Sequence, residues 1–304
     1  MAQSHPNGQS PRFCDYEGSD YRTAFWEGRG REYEDRAERI ALRRLLPPGG
    51  GRIIDIGAGF GRLVDLYAAY DELVLMDYSR SHLEYARQHS GAARITCVAA
   101  NIYQMPFATA CFDAAVIVRV LHHLSDTPKA LQAVRHILYP GATLVMEYAN
   151  QRNLKAIVRY CLGRQQHNPF GLEPWEFAEL NFDYHPAFVE GALREAGFRI
   201  ERQLGVSSLR IGLLKRLLPA AVAAAADAWF QNPMGRLKLT PSVFVRARAV
   251  GEAGIKPRAL TFCCPVCRGD LAPEPERLLC VTCGRRWSTA GGIYDFKQPL
   301  QESQ

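Results

Sequence analysis

Two periods of apolar spacing alternate along the chain. Between Tyr21 and Leu46, the residues Tyr33, Ala37, Ile40, Ala41 and Leu45 recur near helical spacing, and Pro47-Pro48-Gly49-Gly50 stops the expected helix. Ile53-Ile54-Asp55-Ile56 follows as the β-branched run of a buried strand. Past the alternate glycines Gly57, Gly59 and Gly61, the amphipathic stretch from Leu63 to Tyr70 predicts a helix, so this is a strand-loop-helix junction. Glu72-Leu73-Val74-Leu75-Met76 predicts a second buried strand that ends in Asp77. The alternation continues through Thr143-Leu144-Val145-Met146-Glu147, a helix from Pro186 to Gly197, a strand opening at Phe198 and a last strand from Ser242. Strands and helices in this rhythm build a parallel sheet with covering helices, the α/β class. Ligands of such sheets bind beyond the C-terminal strand ends. Asp55, Asp77, Asn101, Arg119 and Glu147 all fall at or just past a predicted strand end.

At 304 residues the chain exceeds the ~100–200 residues of a usual single core, so one large domain and a small second one are expected. The net charge of +6 permits an anionic partner without demanding one. Residues 1–20 are polar, with Pro, Gly and Ser, and predict a flexible N-terminus. No apolar run approaches the ~20 residues of a membrane span, and Met1 to Pro6 show no basic segment leading into an apolar core. No stable membrane insertion and a cytoplasmic location are therefore expected. Cys14, Cys97, Cys111 and Cys161 are scattered, whereas the other five of nine cysteines crowd into Cys263 to Cys283. That distribution suits metal binding in a reducing compartment better than disulfides.

The glycine loop marks where a ligand comes close to the backbone, because residues without Cβ accept positive φ and amides at a helix start attract anions. A dinucleotide would require G-x-G-x-x-G, but position 62 is Arg, and Asp55 places negative charge where a pyrophosphate would sit. Asp77, twenty positions past Gly57, suits both hydroxyls of a ribose. A ribose, an ammonium and a carboxylate describe S-adenosylmethionine (SAM). Together with Ala99-Ala100-Asn101-Ile102, Met105-Pro106-Phe107, the stretch from Phe112 to His123 and Tyr139-Pro140-Gly141, these residues resemble the class I SAM-dependent methyltransferases of the type 11-like group, over roughly Gly50 to Val250.

The resemblance implies a Rossmann-like, seven-stranded sheet with flanking helices in a domain spanning 21–250. It also implies a cofactor site made by Asp55, Gly57, Gly59, Gly61, Asp77, Tyr78, Asn101, Ile102 and Arg119. Asn101 stands where the family more commonly carries an acidic residue, and its amide oxygen is expected to accept from the adenine amino group. An N-terminal helix often covers the cofactor in this family. Tyr21, Phe25, Trp26 and Tyr33 are therefore either part of a lid over the sulfonium or packing between helix and sheet.

The reaction so implied is direct in-line methyl transfer, with His122, His123 and Glu147 as candidate catalytic residues. A histidine suits removal of a proton near neutral pH; packing or capping is the competing reading, as ordinary hydrogen bonding is for Glu147. Arg119 holds the SAM carboxylate or an anionic substrate, or else pairs with Asp126 or another carboxylate. Neither Asn-Pro-Pro-aromatic nor Pro-Cys is present near Arg119, which argues against methylation of exocyclic amines and of cytosine C5. A helical insertion at about 209–239 interleaves Leu209, Ile211, Leu213, Leu214, Leu217 and Leu218 with Arg210, Lys215 and Arg216. It reads as a cap or dimer face ahead of a membrane-surface segment. This cap and the aromatic N-terminal helix slightly favour a small-molecule acceptor. RNA or a translation factor is the alternative, and a non-catalytic SAM-binding scaffold the third reading.

Near the C-terminus, Cys264-Pro265-Val266-Cys267 and Cys280-Val281-Thr282-Cys283 are paired C-x2-C knuckles separated by 12 residues, the spacing of a tetrahedral thiolate Zn2+ site. Cys263 is the alternative to Cys264 as ligand. A closed four-thiolate site has no open position, so the metal is expected to be structural and to supply much of the folding free energy of a module with little core. Residues 258–304 are similar to the small zinc-ribbon family that activates tRNA, rRNA and release-factor methyltransferases as a separate subunit. Fused here, the ribbon is expected to dock on its own catalytic domain.

Overall fold

At the centre of the computed structural model, β1 (Gly50–Ile56) pairs in parallel with β2 (Tyr70–Asp77) on one side and β4 (Phe112–Ile117) on the other. The structure describes residues 11–19, 23, 26, 30–91, 95–208, 218–252 and 259–301. Tyr21, Phe25, the stretch 209–217 and most of the expected linker before residue 258 lie outside the described residues. β3 (Ile95–Ala99) extends the sheet in parallel beyond β2, and β5 (Leu138–Ala149) does so beyond β4. β9 (Ser242–Ala249) joins antiparallel to β5, and β8 (Phe198–Val206) antiparallel to β9. The order β3-β2-β1-β4-β5-β9-β8 is a seven-stranded mixed sheet.

The sheet does not stop at seven. β13 (Ile293–Asp295), from the C-terminal module, pairs in parallel with β3, setting Ile293 opposite Cys97 and Asp295 opposite Ala99. β12 (Arg286–Ser288), β11 (Arg277–Cys280) and β10 (Leu271–Glu274) follow antiparallel, which makes eleven strands in one sheet. The count is corrected upward for a physical reason: β3 is otherwise an open edge whose amides and carbonyls need partners.

Side-chain alternation along the strands builds the two outer layers. Ile54 and Ile56 pack with Leu131 and Val134 of α3 (Thr127–Ile137) and Leu193 of α5 (Pro186–Glu195). Ile53 points the other way, toward Ala37, Ala41 and Leu42 of α1 (Glu32–Leu45), Leu83 of α2 (Arg80–His89) and Ala223 of α6 (Ala220–Leu237). Polar residues at the turns start the helices. Ser79 accepts from the His82 amide, Asp126 from Lys129 and His185 Nδ1 from Ala187, each satisfying an amide that has no partner within its helix.

Two local expectations change. The helix expected from Leu63 to Tyr70 shrinks to a 3-10 turn, Val64–Tyr67, because Tyr70 already belongs to β2 and stands opposite Gly50. Residues 11–19, expected to be flexible, are tied down: the Cys14 amide donates to the His123 carbonyl (3.3 Å), and the Ser125 amide to that of Arg12 (3.0 Å). A two-stranded hairpin, β6 (Trp175–Ala178) with β7 (Asn181–Asp183), had no counterpart in the apolar pattern. Among the described residues no helix is long and apolar enough to cross a membrane.

Candidate active site

β1 delivers Asp55 and then turns sharply. The amides of Gly57 and Ala58 both donate to the Met76 carbonyl at the end of β2, and the Gly59 amide donates to Asp77 Oδ2 at 2.7 Å. Gly57 has φ +73°, and a Cβ there would meet Val120 Cγ2 at 2.1 Å, so both the backbone conformation and the Val120 side chain of the loop after β4 disfavour any side chain. Gly59, with φ +53°, faces open space instead.

This loop forms one wall of a partly enclosed cavity at the strand ends. Asp55, Gly57, Gly59, Asp77, Tyr78, Asn101 and Ile102 line its inner side, and Arg119 its rim. Gly61 is absent from the lining; its φ of +80° turns the chain against Ala86 of α2. The outer wall is the N-terminal strap, through Phe13, Cys14 and Tyr16, with Trp26 beside it.

Of the two carboxylates on the inner wall, Asp55 is buried and Asp77 half-buried. Burial pushes the Asp55 carboxyl up to about 7, against the opposing hydrogen bond donated by Tyr67 Oη at 3.0 Å. Burial also raises Asp77, while the amides of Ser79 and Gly59 act to hold it down. Asn101 Oδ1 accepts from the Tyr103 amide at 2.9 Å, so the expected acceptor atom is already engaged in capping a short 3-10 turn.

A charged network that the sequence reading did not anticipate closes the rim. Glu38, on the buried side of α1, receives Arg62 Nη2 at 2.9 Å and Arg119 Nε at 2.9 Å. Burial alone would raise this carboxyl, but the two guanidiniums, Arg119 foremost, bring it below its ordinary value. Arg62 also meets Asp35 and lies 4.0 Å from the centroid of the Trp26 ring; Arg119 lies 5.0 Å from it. Arg119 thus pairs with another carboxylate, Glu38, in place of Asp126, and Trp26 stacks on guanidiniums. Tyr33 is not a lid residue: it is buried in α1 and its hydroxyl donates to Asp227 of α6 at 3.2 Å.

The three candidate catalytic residues separate. His123 borders the cavity, whereas His122 and Glu147 do not. The Leu180 carbonyl lies 3.1 Å from His123 Nδ1, which must therefore carry the proton, leaving Nε2 to accept from Tyr16 Oη at 3.0 Å. Burial lowers the pKa of His123, and lowers His122 further with help from the neighbouring imidazole. Glu147 is buried and accepts from Ser242 Oγ at 2.7 Å and the Arg119 amide at 3.1 Å; burial raises its pKa.

In the C-terminal module, the sulfurs of Cys264, Cys267, Cys280 and Cys283 all lie within 4.8 Å of one another. Cys263 is outside the group; its amide instead donates to the Pro106 carbonyl at 2.9 Å. Arg268 donates to the carbonyls of Met105 (2.8 Å) and Phe107 (2.6 Å), and the ring of Phe262 lies 5.7 Å from that of Phe107. Module and sheet therefore share backbone pairing, guanidinium contacts and an aromatic seam.

A parallel core with one reversed strand, β9, set between β5 and β8, and a cavity at the strand ends bounded by a glycine loop, define a Rossmann-like methyltransferase fold. Residues 54–146 match the family model described as a methyltransferase domain. Among curated proteins, the chain is 31% identical over 176 residues to an O-methyltransferase of Aspergillus sclerotiorum, covering 55% of this chain and 61% of that one. It is 32% identical over 115 residues to a demethylmenaquinone methyltransferase of Clavibacter sepedonicus, covering 37% and 47%. The chain thus spans about half to three fifths of the length of these relatives. Two solved structures share the fold. A chain of the complex between the Haloferax volcanii Trm112 methyltransferase activator and a methyltransferase aligns with TM-score 0.52 at 18% identity, over 76% of this chain and 98% of that one. An S-adenosylmethionine-dependent methyltransferase of Mesorhizobium loti aligns with TM-score 0.50 at 21% identity, over 70% and 97%.

Proposed function

We propose that this chain is a SAM-dependent methyltransferase acting on a small molecule. The observation that carries the reading is the cavity itself, where the half-buried Asp77 carboxylate at the end of β2 faces the glycine loop. Each Asp77 oxygen accepts one backbone amide and keeps further lone pairs for a ribose hydroxyl. Tyr78 and Ile102 flank the adenine. Asn101 Oδ1 accepts from Tyr103 and keeps a second lone pair, and its Nδ2 is a donor suited to a ring nitrogen. Bound SAM supplies the electrophilic methyl carbon. Arg62 and Arg119 orient the amino-acid end, and the strap excludes water from the site. His123 takes the acceptor's proton through the Tyr16 hydroxyl, the one base candidate that borders the cavity.

The enclosed outer wall supports an acceptor of modest size, as do the O-methyltransferase and quinone-methyltransferase names of the relatives. RNA or a translation factor is the second reading, favoured by the fused module and by the activator complex among the structural neighbours. We assign the module as a zinc ribbon. Its sulfurs are 3.4 Å apart for Cys267–Cys280 and 3.8 Å for Cys264–Cys283, near the ~3.8 Å between thiolates around a tetrahedral Zn2+ with Zn–S of about 2.3 Å. Calorimetric titration with S-adenosylhomocysteine is expected to show one site, weakened about tenfold or more in Asp77→Asn. No heat, together with tight retention of a nicotinamide or flavin, overturns the reading. Labelled SAM incubated with cell extract and fractionated by acceptor size separates the two acceptor classes, and RNA affinity that falls steeply with salt marks the second.

A further inference from the structure

The helix after β5, α4 (Leu154–Cys161), is amphipathic, yet none of its residues is buried. Leu154, Ile157, Val158, Cys161 and Leu162 recur at the i, i+3, i+4, i+7, i+8 spacing of one helical face. Such a stripe ordinarily faces a core. Here Leu154 is 56%, Val158 47% and Leu162 61% exposed, and the following chain adds Phe170, Leu172 and Phe177, each exposed to a similar degree. The rings of Tyr160 and Phe170 are 6.4 Å apart, so helix and following chain form one patch.

The charges from Tyr148 to Leu172 have one sign, and Glu173 and Glu176 lie just beyond that stretch. From Tyr148 to Leu172 the sequence contains no Asp or Glu, but it contains Arg152, Lys155, Arg159 and Arg164. Among the described residues, none of Lys155, Arg159 and Arg164 takes part in an ion pair. The helix is also anchored at its base, where the Leu154 amide donates to the Leu239 carbonyl at 2.8 Å and Asn153 Oδ1 accepts from Ala156.

We propose that α4 and the chain up to Leu172 dock peripherally on an anionic phospholipid bilayer. An apolar stripe flanked by lysine and arginine lies in the plane of the headgroups, its aliphatic and aromatic side chains among the acyl chains and its cations on the phosphates. A second copy of this chain would set like charges against each other. A nucleic acid would meet the cations but leave the stripe wet. α4 starts just past the C-terminal end of β5, at the same end of the parallel strands as the cavity, so docking brings that end of the sheet to the bilayer. That a lipophilic acceptor then enters from the bilayer rests on the proposed function; the docking itself does not.

Flotation of the full chain with vesicles tests this. Binding is expected to vesicles containing phosphatidylglycerol and not to phosphatidylcholine alone. It should weaken at high salt, and fall about tenfold or more in Val158→Asp/Leu162→Asp and in Lys155→Glu/Arg159→Glu. All four positions are exposed or at a helix surface, so melting temperature and adenosylhomocysteine affinity should match wild type. Absence of binding to phosphatidylglycerol vesicles overturns the proposal, as does equal binding by wild type and both variants. A dimer in sedimentation velocity that Val158→Asp/Leu162→Asp abolishes also overturns it, in favour of self-association. Vesicle binding in a protein that fails to bind adenosylhomocysteine supports the docking and removes the methyltransferase reading alone.

Discussion

Glu38 is a carboxylate that folding removes from water, and two guanidiniums keep it ionised. Taking one away leaves buried charge poorly compensated. Arg119→Met is expected to cost about 3–5 kcal/mol of stability in chemical denaturation, with part recovered in Glu38→Gln/Arg119→Met; equal stability of wild type and the single variant contradicts the pairing. Asp55 works in the opposite direction. Its folded-state value of about 7 lies above the ordinary carboxyl range, so between about pH 4 and pH 7 the unfolded chain gives up the proton first, and stability falls as pH rises. Asp55→Asn should flatten that part of the stability profile, by a few kcal/mol at full ionisation. An unchanged slope would mean that Asp55 ionises normally in the folded protein. Asp55 and Asp77 were legible because each ends an apolar run. A signal for Glu38 also existed, since it stands between Ala37 and Ala41 on the core face of α1. Its partners come from two other segments, and that part was not legible.

At the scale of elements, the strap over the cavity is held at both ends of residues 11–19. Glu17 accepts the amides of Arg80 and Ser81 at the start of α2 and pairs with Lys297 at 2.9 Å, and Lys297 lies 5.3 Å from the centroid of the Tyr78 ring. Burial opposes ionisation of Glu17, but Lys297 and the two amides outweigh it and hold the carboxyl at about 2. Phe13 packs edge-on against Tyr78, 4.6 Å between centroids. A residue of the C-terminal module therefore fastens the lid of the site. Lys297→Ala is expected to weaken adenosylhomocysteine binding about tenfold while the melting temperature moves little, because the pair is partly exposed; an unchanged titration would show that the strap holds without it. No periodicity marks residues 11–19, and their ties to the rest of the fold go to partners more than sixty residues away.

For the molecule as a whole, the module and the Rossmann-like domain share one sheet. The Phe296 amide donates to the Ala99 carbonyl at 2.7 Å and the Ala108 amide to that of Thr261 at 3.0 Å, while the Phe262 ring lies 4.5 Å from Tyr294 and 5.5 Å from Phe296. Removing the metal with a strong chelator, or replacing Cys264 with Ser, is expected to uncover the β3 edge and lower the melting temperature of the entire chain. Calorimetry that shows the main transition unmoved and only a small one lost would mean that the two parts fold independently.

Local order was enough to determine the strand and helix rhythm, the glycine turn, the carboxylates at the strand ends and the four thiolates, because each follows from the chemistry of neighbours along the chain. Tertiary structure alone decided that Asn101 spends its oxygen on a cap, that Arg119 answers Glu38, that an unpatterned strap covers the cavity and that a second module continues the sheet. Those outcomes depend on which distant groups are left with unmet hydrogen bonds, uncompensated charge or an open edge once the core has closed, and a linear pattern does not record such debts.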